Sequence, residues 1–527
     1  MNFRTLSIVS LALMVASANA VEVKTIFSSL PGSLNSVPGY PSDVFNPAYI
    51  SGTSTNSGGA FRQPYLSPDG TRWLMRCQID TSFSATTGDD TIIYGQGLNT
   101  SSFGSATRTG EIVPWDPGTV WNALGNQIAI NNAGLIAFRA TVAAGASVTD
   151  TVCTYNSGTF TQLLKQGDAA PGLAGLFLRD ADGIHFGTDG TTVRARWRIQ
   201  TGATTEPDVL LNGNTLLAQS SGLTLTSPMV PTTLAGQMVA PSQTLKNTGL
   251  LSFRTSADGS ASMYFANLNG PTTSDFVLVL NGNVIAQEGA VLPGSGNPST
   301  VVTFGNSSSH NVANGGNYIY RGTWNDGPAE VTRTNFVVKN GSVISKTGNT
   351  LSPFMTEAWE DDANGTVARV TATYFTTFVN SYGEFVIGGS TNNPDVNVDT
   401  VLVANNRRII LREGDPIDLN NNGNFDDDCF VNLIKSDGCA FSDNAYLYQV
   451  VQTENSTGAI TGEAFLRIEV PIPADIDGDG EVGSTDFDAV VSQFGNGGSD
   501  MPEDVDGDGE VGSTDFDLVV AQFGRSR

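Results

Sequence analysis

A motif that returns at intervals of about sixty residues along most of the chain limits its possible folds more than any other feature. The first half of the motif is a turn leading into an apolar-alternating strand. Ser67-Pro68-Asp69-Gly70 precedes Trp73, Asn131-Asn132-Ala133-Gly134 precedes Ile136 and Phe138, and Lys246-Asn247-Thr248-Gly249 precedes Leu251 and Phe253. Looser copies stand at Asp189-Gly190, at Gly315-Gly316, from Asn380 to Gly383, and at Asp443-Asn444. The second half is a hairpin, clearest where Val277 to Leu280 turns at Asn281-Gly282 into Val284 to Ala286, since Asn-Gly accepts the positive φ angles of a tight turn. Hairpins at Asn212-Gly213, Asn340-Gly341 and Asn405-Asn406 follow the same plan. Each unit therefore reads as four strands. Seven units between about residues 45 and 470 predict a mainly β chain folded as a seven-bladed β-propeller, in which every sheet covers its faces with its neighbours. Separate β-sandwich modules are the alternative, but sixty residues is small for a sandwich and no linkers divide the units. Closing the ring requires the strand Val21 to Phe27 to complete the last sheet beside Ala464 to Val470.

Charge narrows the partners. With 26 Lys+Arg against 52 Asp+Glu the net charge is −26, which disfavours nucleic acid. Arg4, the apolar run Leu6 to Val15 and Ala18-Asn19-Ala20 form the pattern of a secretory signal, so residues 1–20 are expected to be removed and the mature chain to start at Val21. The apolar run is about half the length of a membrane span, and the sequence has no second one. An exported chain favours disulfides among Cys77, Cys153, Cys429 and Cys439; Cys429 with Cys439 is the natural local pair, while for Cys77 and Cys153 a staple between neighbouring units and two buried free thiols are both open readings.

After Pro471 and Pro473 the pattern changes. The segments 475–495 and 504–524 align without gaps and differ at three positions, each opening Asp-x-Asp-Gly-Asp-Gly-Glu-Val-Gly-Ser-Thr-Asp. Oxygen ligands at positions 1, 3, 5 and 12 of a twelve-residue loop, with a backbone carbonyl at 7, are the pattern of a Ca²⁺ loop. Asp475, Asp477, Asp479, Glu481 (by its carbonyl) and Asp486 would hold one ion, and Asp504, Asp506, Asp508, Glu510 and Asp515 a second. Glycine at position 9 leaves room for a water. Crowded carboxylates repel without a cation, so binding and folding are expected to be coupled. Phe487, Val490, Val491 and Phe494, and their counterparts Phe516, Val519, Val520 and Phe523, fall on one helical face in each half.

This duplicated half EF-hand resembles a type I dockerin, the module that plugs secreted bacterial proteins into cohesin domains. The resemblance covers residues 475–527 and implies a small helical domain at 471–527 with a cohesin-like protein or surface scaffold as partner. It places the partner-reading positions on Ser484-Thr485 and Ser513-Thr514. The full Asn131-x-x-Gly134-x-x-Ala137-Phe138 match resembles the bacterial NxxGxxAF tandem-repeat "choice-of-anchor" proteins, which implies export, anchoring at a bacterial surface and no known reaction for residues 21–470.

A further candidate Ca²⁺ loop runs from Asp418 through Asn420 and Asn422 to Asp426, with oxygens at positions 1, 3, 5 and 9; an Asn-rich turn is the other reading. His185 and His310 are the histidines of the chain, and neither adjoins a Gly-x-Ser-x-Gly elbow or a paired-His zinc motif. Glu357, Glu360, Asp361 and Asp362 around Trp359 offer the elements of a glycosidase carboxylate pair beside an aromatic platform. The functional expectation is thus a secreted, calcium-binding, non-catalytic repeat protein whose tail docks it while the β-repeat domain binds a glycan or protein. A dockerin-bearing polysaccharide-degrading glycoside hydrolase is the alternative.

Overall fold

A computed structural model of the chain describes residues 21–45, 59–80, 89–200, 207–219, 245–269, 271–291, 301–303, 309–325, 333–353, 355–360, 373–498 and 501–527. The expected signal at 1–20, and Asp361 and Asp362, lie outside them. The described strands form seven antiparallel sheets, each built almost wholly from consecutive strands. They are blade 1 (61–108), blade 2 (112–165), blade 3 (177–219), blade 4 (245–287), blade 5 (301–346), blade 6 (374–412) and blade 7 (430–469). The strand Ser36–Val37 and the strand Tyr40–Phe45 add to the inner side of blade 1. This is the seven-bladed propeller the repeat predicts.

The ring closes as the sequence requires. Val23–Ser28 pairs antiparallel with Ile460–Glu469, Val23 opposite Ile468 and Ser28 opposite Ala464, so the first strand of the chain completes the last blade. Phe27 drives this pairing. It is 4% exposed and packs against the rings of Phe45, Trp73 and Phe103, with centroids 5.0, 5.8 and 5.2 Å away. Trp73 also meets Phe465 at 5.5 Å, so one aromatic cluster spans the joint of blades 7 and 1. The other six seams carry apolar clusters of their own. That is why the middle strands, such as Tyr446–Glu454, are buried on both faces and read as continuous rather than alternating apolar runs.

The recurring turn explains its own composition. In blade 2 the Asn131 side-chain carbonyl accepts from Leu135 N–H at 2.8 Å and closes its turn, while its Nδ2 donates to Gly190 O of blade 3 at 2.7 Å. In blade 6 Asn380 accepts from Glu384 N–H and donates to Ser442 O of blade 7. An amide has both a donor and an acceptor, so one residue shapes the turn and ties it to the next blade. Serine at the same place closes the turn with its hydroxyl oxygen, as Ser67 and Ser442 do with Arg72 and Tyr446 N–H. The next residue adds a tie to the preceding blade: Asn132 Oδ1 accepts from Asp69 N–H and Asp443 Oδ1 from Ser381 N–H.

Two expectations are corrected. The repeat turn of blade 4 is Ser256-Ala257-Asp258-Gly259, not Lys246 to Gly249; the latter lies within the inner strand Leu245–Thr255, whose pairing is irregular between Leu245 and Leu250. Two turn-like tetrapeptides within fifteen residues made the register ambiguous, and the ladder with Ser262–Leu268 decides it. The four cysteines are free and buried, so neither the Cys429–Cys439 pair nor the Cys77–Cys153 pair forms. Cys429 immediately precedes the extended strand Phe430–Phe441 and Cys439 lies near its far end, and the partners opposite run from Glu454 to Gln449. At about 3.3 Å per residue this puts them roughly 16 Å apart, far beyond the ~7 Å Cα limit of a disulfide.

Beyond blade 7 come two ten-residue helices, α1 (Ser484–Gln493) and α2 (Ser513–Gln522). No described helix is long and apolar enough to cross a membrane.

Candidate functional site

In each tail loop the acid at position 12 opens a helix. Asp486 is the third residue of α1 and its Oδ2 accepts from Gly483 N–H at 2.7 Å; Asp515 does the same for Gly512 in α2. The other oxygen reaches back into the loop, Asp486 Oδ1 taking Ile476 N–H at 2.6 Å and Asp515 Oδ1 taking Asp506 N–H at 2.9 Å. Within the loop, Gly480 N–H donates to Asp475 Oδ2 (3.1 Å), Asp479 N–H to Asp477 Oδ1 (3.1 Å) and Glu481 N–H to Asp479 Oδ1 (2.9 Å). Asp504, Asp506 and Asp508 repeat this set at 2.9, 3.0 and 2.9 Å. Gly480 and Gly509 sit at φ 93° and 95°, where a side chain is strained.

These bonds turn the carboxylates inward. One oxygen each from Asp475, Asp477 and Asp486 lie within 4.8 Å of one another, as do those of Asp504, Asp506 and Asp508. Asp475 Oδ1 is buried with no hydrogen-bond partner, an orphaned anionic oxygen of the kind that a cation satisfies. Burial raises the Asp475 carboxyl above its usual range, and Asp486 and Asp479 add to this against Arg527. An all-oxygen, carboxylate-rich donor set fits a hard divalent cation such as Ca²⁺.

The halves interlock reciprocally. Val482 exchanges backbone bonds with Gly524 and Arg525, both at 2.8 Å, and Val511 does so with Gly495 and Asn496. Phe487 of α1 meets Phe516 of α2 at 4.9 Å. The outer surface of the pair keeps Ser484, Thr485, Ser513 and Thr514 exposed, together with Val491, Phe494, Val520 and Phe523 at 48 to 58%.

Sequence reasoning missed that the tail leans on the propeller. The Arg525 guanidinium forks onto Glu384 of blade 6 at 2.6 and 2.8 Å, both side chains 4% exposed. It also covers the Tyr382 ring at 3.8 Å and donates to Asp443 O of blade 7. Arg527 bridges Glu469 and Asp475, and Arg407 of blade 6 stands 3.9 Å from Asp504. Val482, Val490, Val505, Val511 and Val519 join the apolar cluster of blades 6 and 7. The spacing of arginines gave no sign of these partners.

The loop at 418 lies between blades 6 and 7. Gly423 N–H donates to Asp418 Oδ2 (2.7 Å), Asn422 N–H to Asn420 Oδ1 (3.0 Å) and Asn424 N–H to Asn422 Oδ1 (2.7 Å), the same bonds as the first half of each tail loop. The carboxylate that closes it is Asp427, whose Oδ2 takes Leu419 N–H at 2.8 Å as Asp486 takes Ile476 N–H. Asp426, expected as a ligand at position 9, is exposed, as Asp477 and Asp479 are in the tail. Asn421 clamps the loop to Thr25 of the closing strand with bonds of 2.9 and 2.7 Å.

The proposed carboxylate platform is not assembled among the described residues. Trp359 is 1% exposed and packs on Tyr374 at 5.0 Å, while Glu357 forms an ion pair with Arg412 at 2.7 Å.

On the propeller axis, the ends of all seven inner strands surround a cavity of about 140 Å³. His185, Arg254, Asn311 and Gln63 contribute to its wall. Asn314 crosses its turn-side end, donating to Pro68 O of blade 1 at 2.9 Å and to Asp443 Oδ2 of blade 7 at 3.2 Å. Burial, and then Arg254, lower the His185 pKa to about 4 and that of His310 to about 3, so both imidazoles are neutral at pH 7.

No known family pattern matches the chain, and no curated protein matches it. Among solved structures it is similar to the Dos1 propeller, at 8% identity over 79% of this chain and 94% of that one, with TM-score 0.33. It is also similar to the β-propeller domain of the Trilobed protease from Pyrococcus furiosus (7%, 76% and 93%, 0.35) and to polysaccharide lyase Uly1 (9%, 86% and 99%, 0.39). At these scores the likeness supports no residue-level equivalence, and the propeller stands on this chain's own strand order.

Proposed function

We infer that this is a calcium-dependent anchoring protein of the bacterial exterior, in which the propeller carries a ligand-binding surface and the C-terminal tandem docks the molecule to a cohesin-type partner. The convergence of carboxylate oxygens in two loops with matching hydrogen bonds carries this reading. Each loop would take one Ca²⁺, held by Asp475, Asp477, Asp479, Asp486 and the Glu481 carbonyl, or by Asp504, Asp506, Asp508, Asp515 and the Glu510 carbonyl. Asp418, Asn420, Asn422 and Asp427 form a third candidate set at the closing strand.

The partner face would be Ser484-Thr485 and Ser513-Thr514 with the four exposed apolar side chains of the pair, since large apolar side chains are solvent-exposed there. The near-identity of the halves offers that face twice, related by a half-turn. Calorimetric titration of the full chain with Ca²⁺ tests the metal, with Asp475→Asn and Asp504→Asn each removing one tail site. Absence of heat in the wild type contradicts the reading. Binding to a cohesin domain should vanish with chelator, survive alanine at 484 and 485 alone, and be lost when 513 and 514 are also changed.

A further inference from the structure

We propose that the axial channel is a binding site for a small hydroxy-carboxylate, free or as the uronic acid unit of a glycan, with Arg254 taking the carboxylate and His185 accepting from the adjacent hydroxyl. This deepens the reading of the propeller as the ligand-bearing part and does not depend on the tail.

The cavity comes first. At about 140 Å³ it is close in size to an engineered interior cavity that admits benzene, so it accepts a compact molecule or the edge of a sugar ring. Asn314 blocks the turn-side end, and the tail's Arg525 lies on that same side against Asp443 and Glu384. The tail thus abuts the turn-side rim of the cavity at Asp443.

Charge selects the class. Arg254 is the guanidinium in the cavity wall, and no described carboxylate forms an ion pair with it. The acid in that wall, Asp443, already accepts from Asn314 Nδ2 and Ser381 N–H. In a chain of net charge −26, a partly buried cation in a cavity wall with no described counter-charge favours a bound anion.

The imidazole then refines the choice. His185 Nε2 lies 3.4 Å from Phe253 O, which can only accept, so the proton sits on Nε2 and Nδ1 is left as a lone pair. A simple carboxylate offers Nδ1 nothing. A hydroxyl next to the carboxylate gives it a donor, while the amides of Asn311 and Gln63 serve either role.

The test uses the full chain in calcium-containing buffer, with calorimetry or ligand-observed NMR and D-glycerate, D-galacturonate and acetate as probes. Glycerate or galacturonate should bind at least tenfold more tightly than acetate; glycerate binding points to a free acid, and galacturonate alone to a glycan unit. Arg254→Gln should weaken binding tenfold or more and Arg254→Lys less. His185→Gln should abolish the preference over acetate. Circular dichroism and the unfolding temperature establish that each variant folds. Wild-type protein that binds none of the probes, or a folded Arg254→Gln that binds as the wild type does, overturns the proposal. Repeating the titration with Asp475→Asn, Asp504→Asn protein separates it from the tail, because channel binding should persist when calcium binding there is lost.

Discussion

Each seam of the propeller buries its own apolar cluster, whereas the tail's helices bury little beyond Val490 and Val519 and share the cluster of blades 6 and 7. The propeller spends aromatic area, with Trp73, Trp121, Trp197 and Trp359 fully enclosed. The tail instead gathers carboxylates, which only a cation makes compatible with a compact loop. One region rests chiefly on burial, the other on a borrowed surface and, on the proposed reading, on bound ions, so perturbations should sort between them.

The largest effect is expected at the ring closure. Phe27→Ala removes a side chain that touches three rings and should cost about 4 kcal/mol of propeller stability, read as a fall in its unfolding temperature with the Ca²⁺ affinity of the tail unchanged. Equal loss in both regions would show that they unfold as one. Next comes Glu384→Gln, which leaves the buried Arg525 guanidinium without its counter-charge. Limited proteolysis should then release the tail, for a cost of about 3 kcal/mol, while blades 1 to 5 stay intact.

Asn131→Ala sharpens the propeller side. It strips two hydrogen bonds, one shaping a turn and one crossing to blade 3, and should lower propeller stability by about 1 to 2 kcal/mol without touching the tail. The smallest effect is a pH dependence. Burial, with Asp399 and Glu454 adding, lifts the Glu413 carboxyl to about 7. A native pKa above the unfolded value means that the stabilisation from protonation is complete below about pH 4 and is lost as pH rises through 7. Glu413→Gln should flatten that slope and, with solvent screening allowed for, gain about 1 kcal/mol at pH 8 in denaturant titrations.

Local chemistry was legible in the sequence at most of the repeats, the turn of blade 4 excepted. The Asn-Gly hairpins at 281 and 340, the turn at Asn131 to Gly134, the seven-blade count and the closing strand all follow from spacing, because turn residues act on their immediate neighbours. Of each expected helical face, Phe487 with Val490 and Phe516 with Val519 turn inward, while Val491, Phe494, Val520 and Phe523 stay exposed. Contacts between distant segments were not legible: nothing near Arg525 in sequence points to Glu384, 141 residues away. The role of Asp427 was not legible, because this loop closes two residues earlier than those of the tail and is pinned by Thr25. The cysteine pairing failed because closeness in sequence is not closeness in space when the intervening strand is extended.

Hydrogen exchange of the full chain, with and without a calcium chelator, tests the contrast between the two regions most directly. The expected result is that amides in 475–527 lose protection on chelation while those of blades 1 to 5 keep theirs. Tail amides that exchange at the same rate with and without the ion would contradict a tail built on calcium.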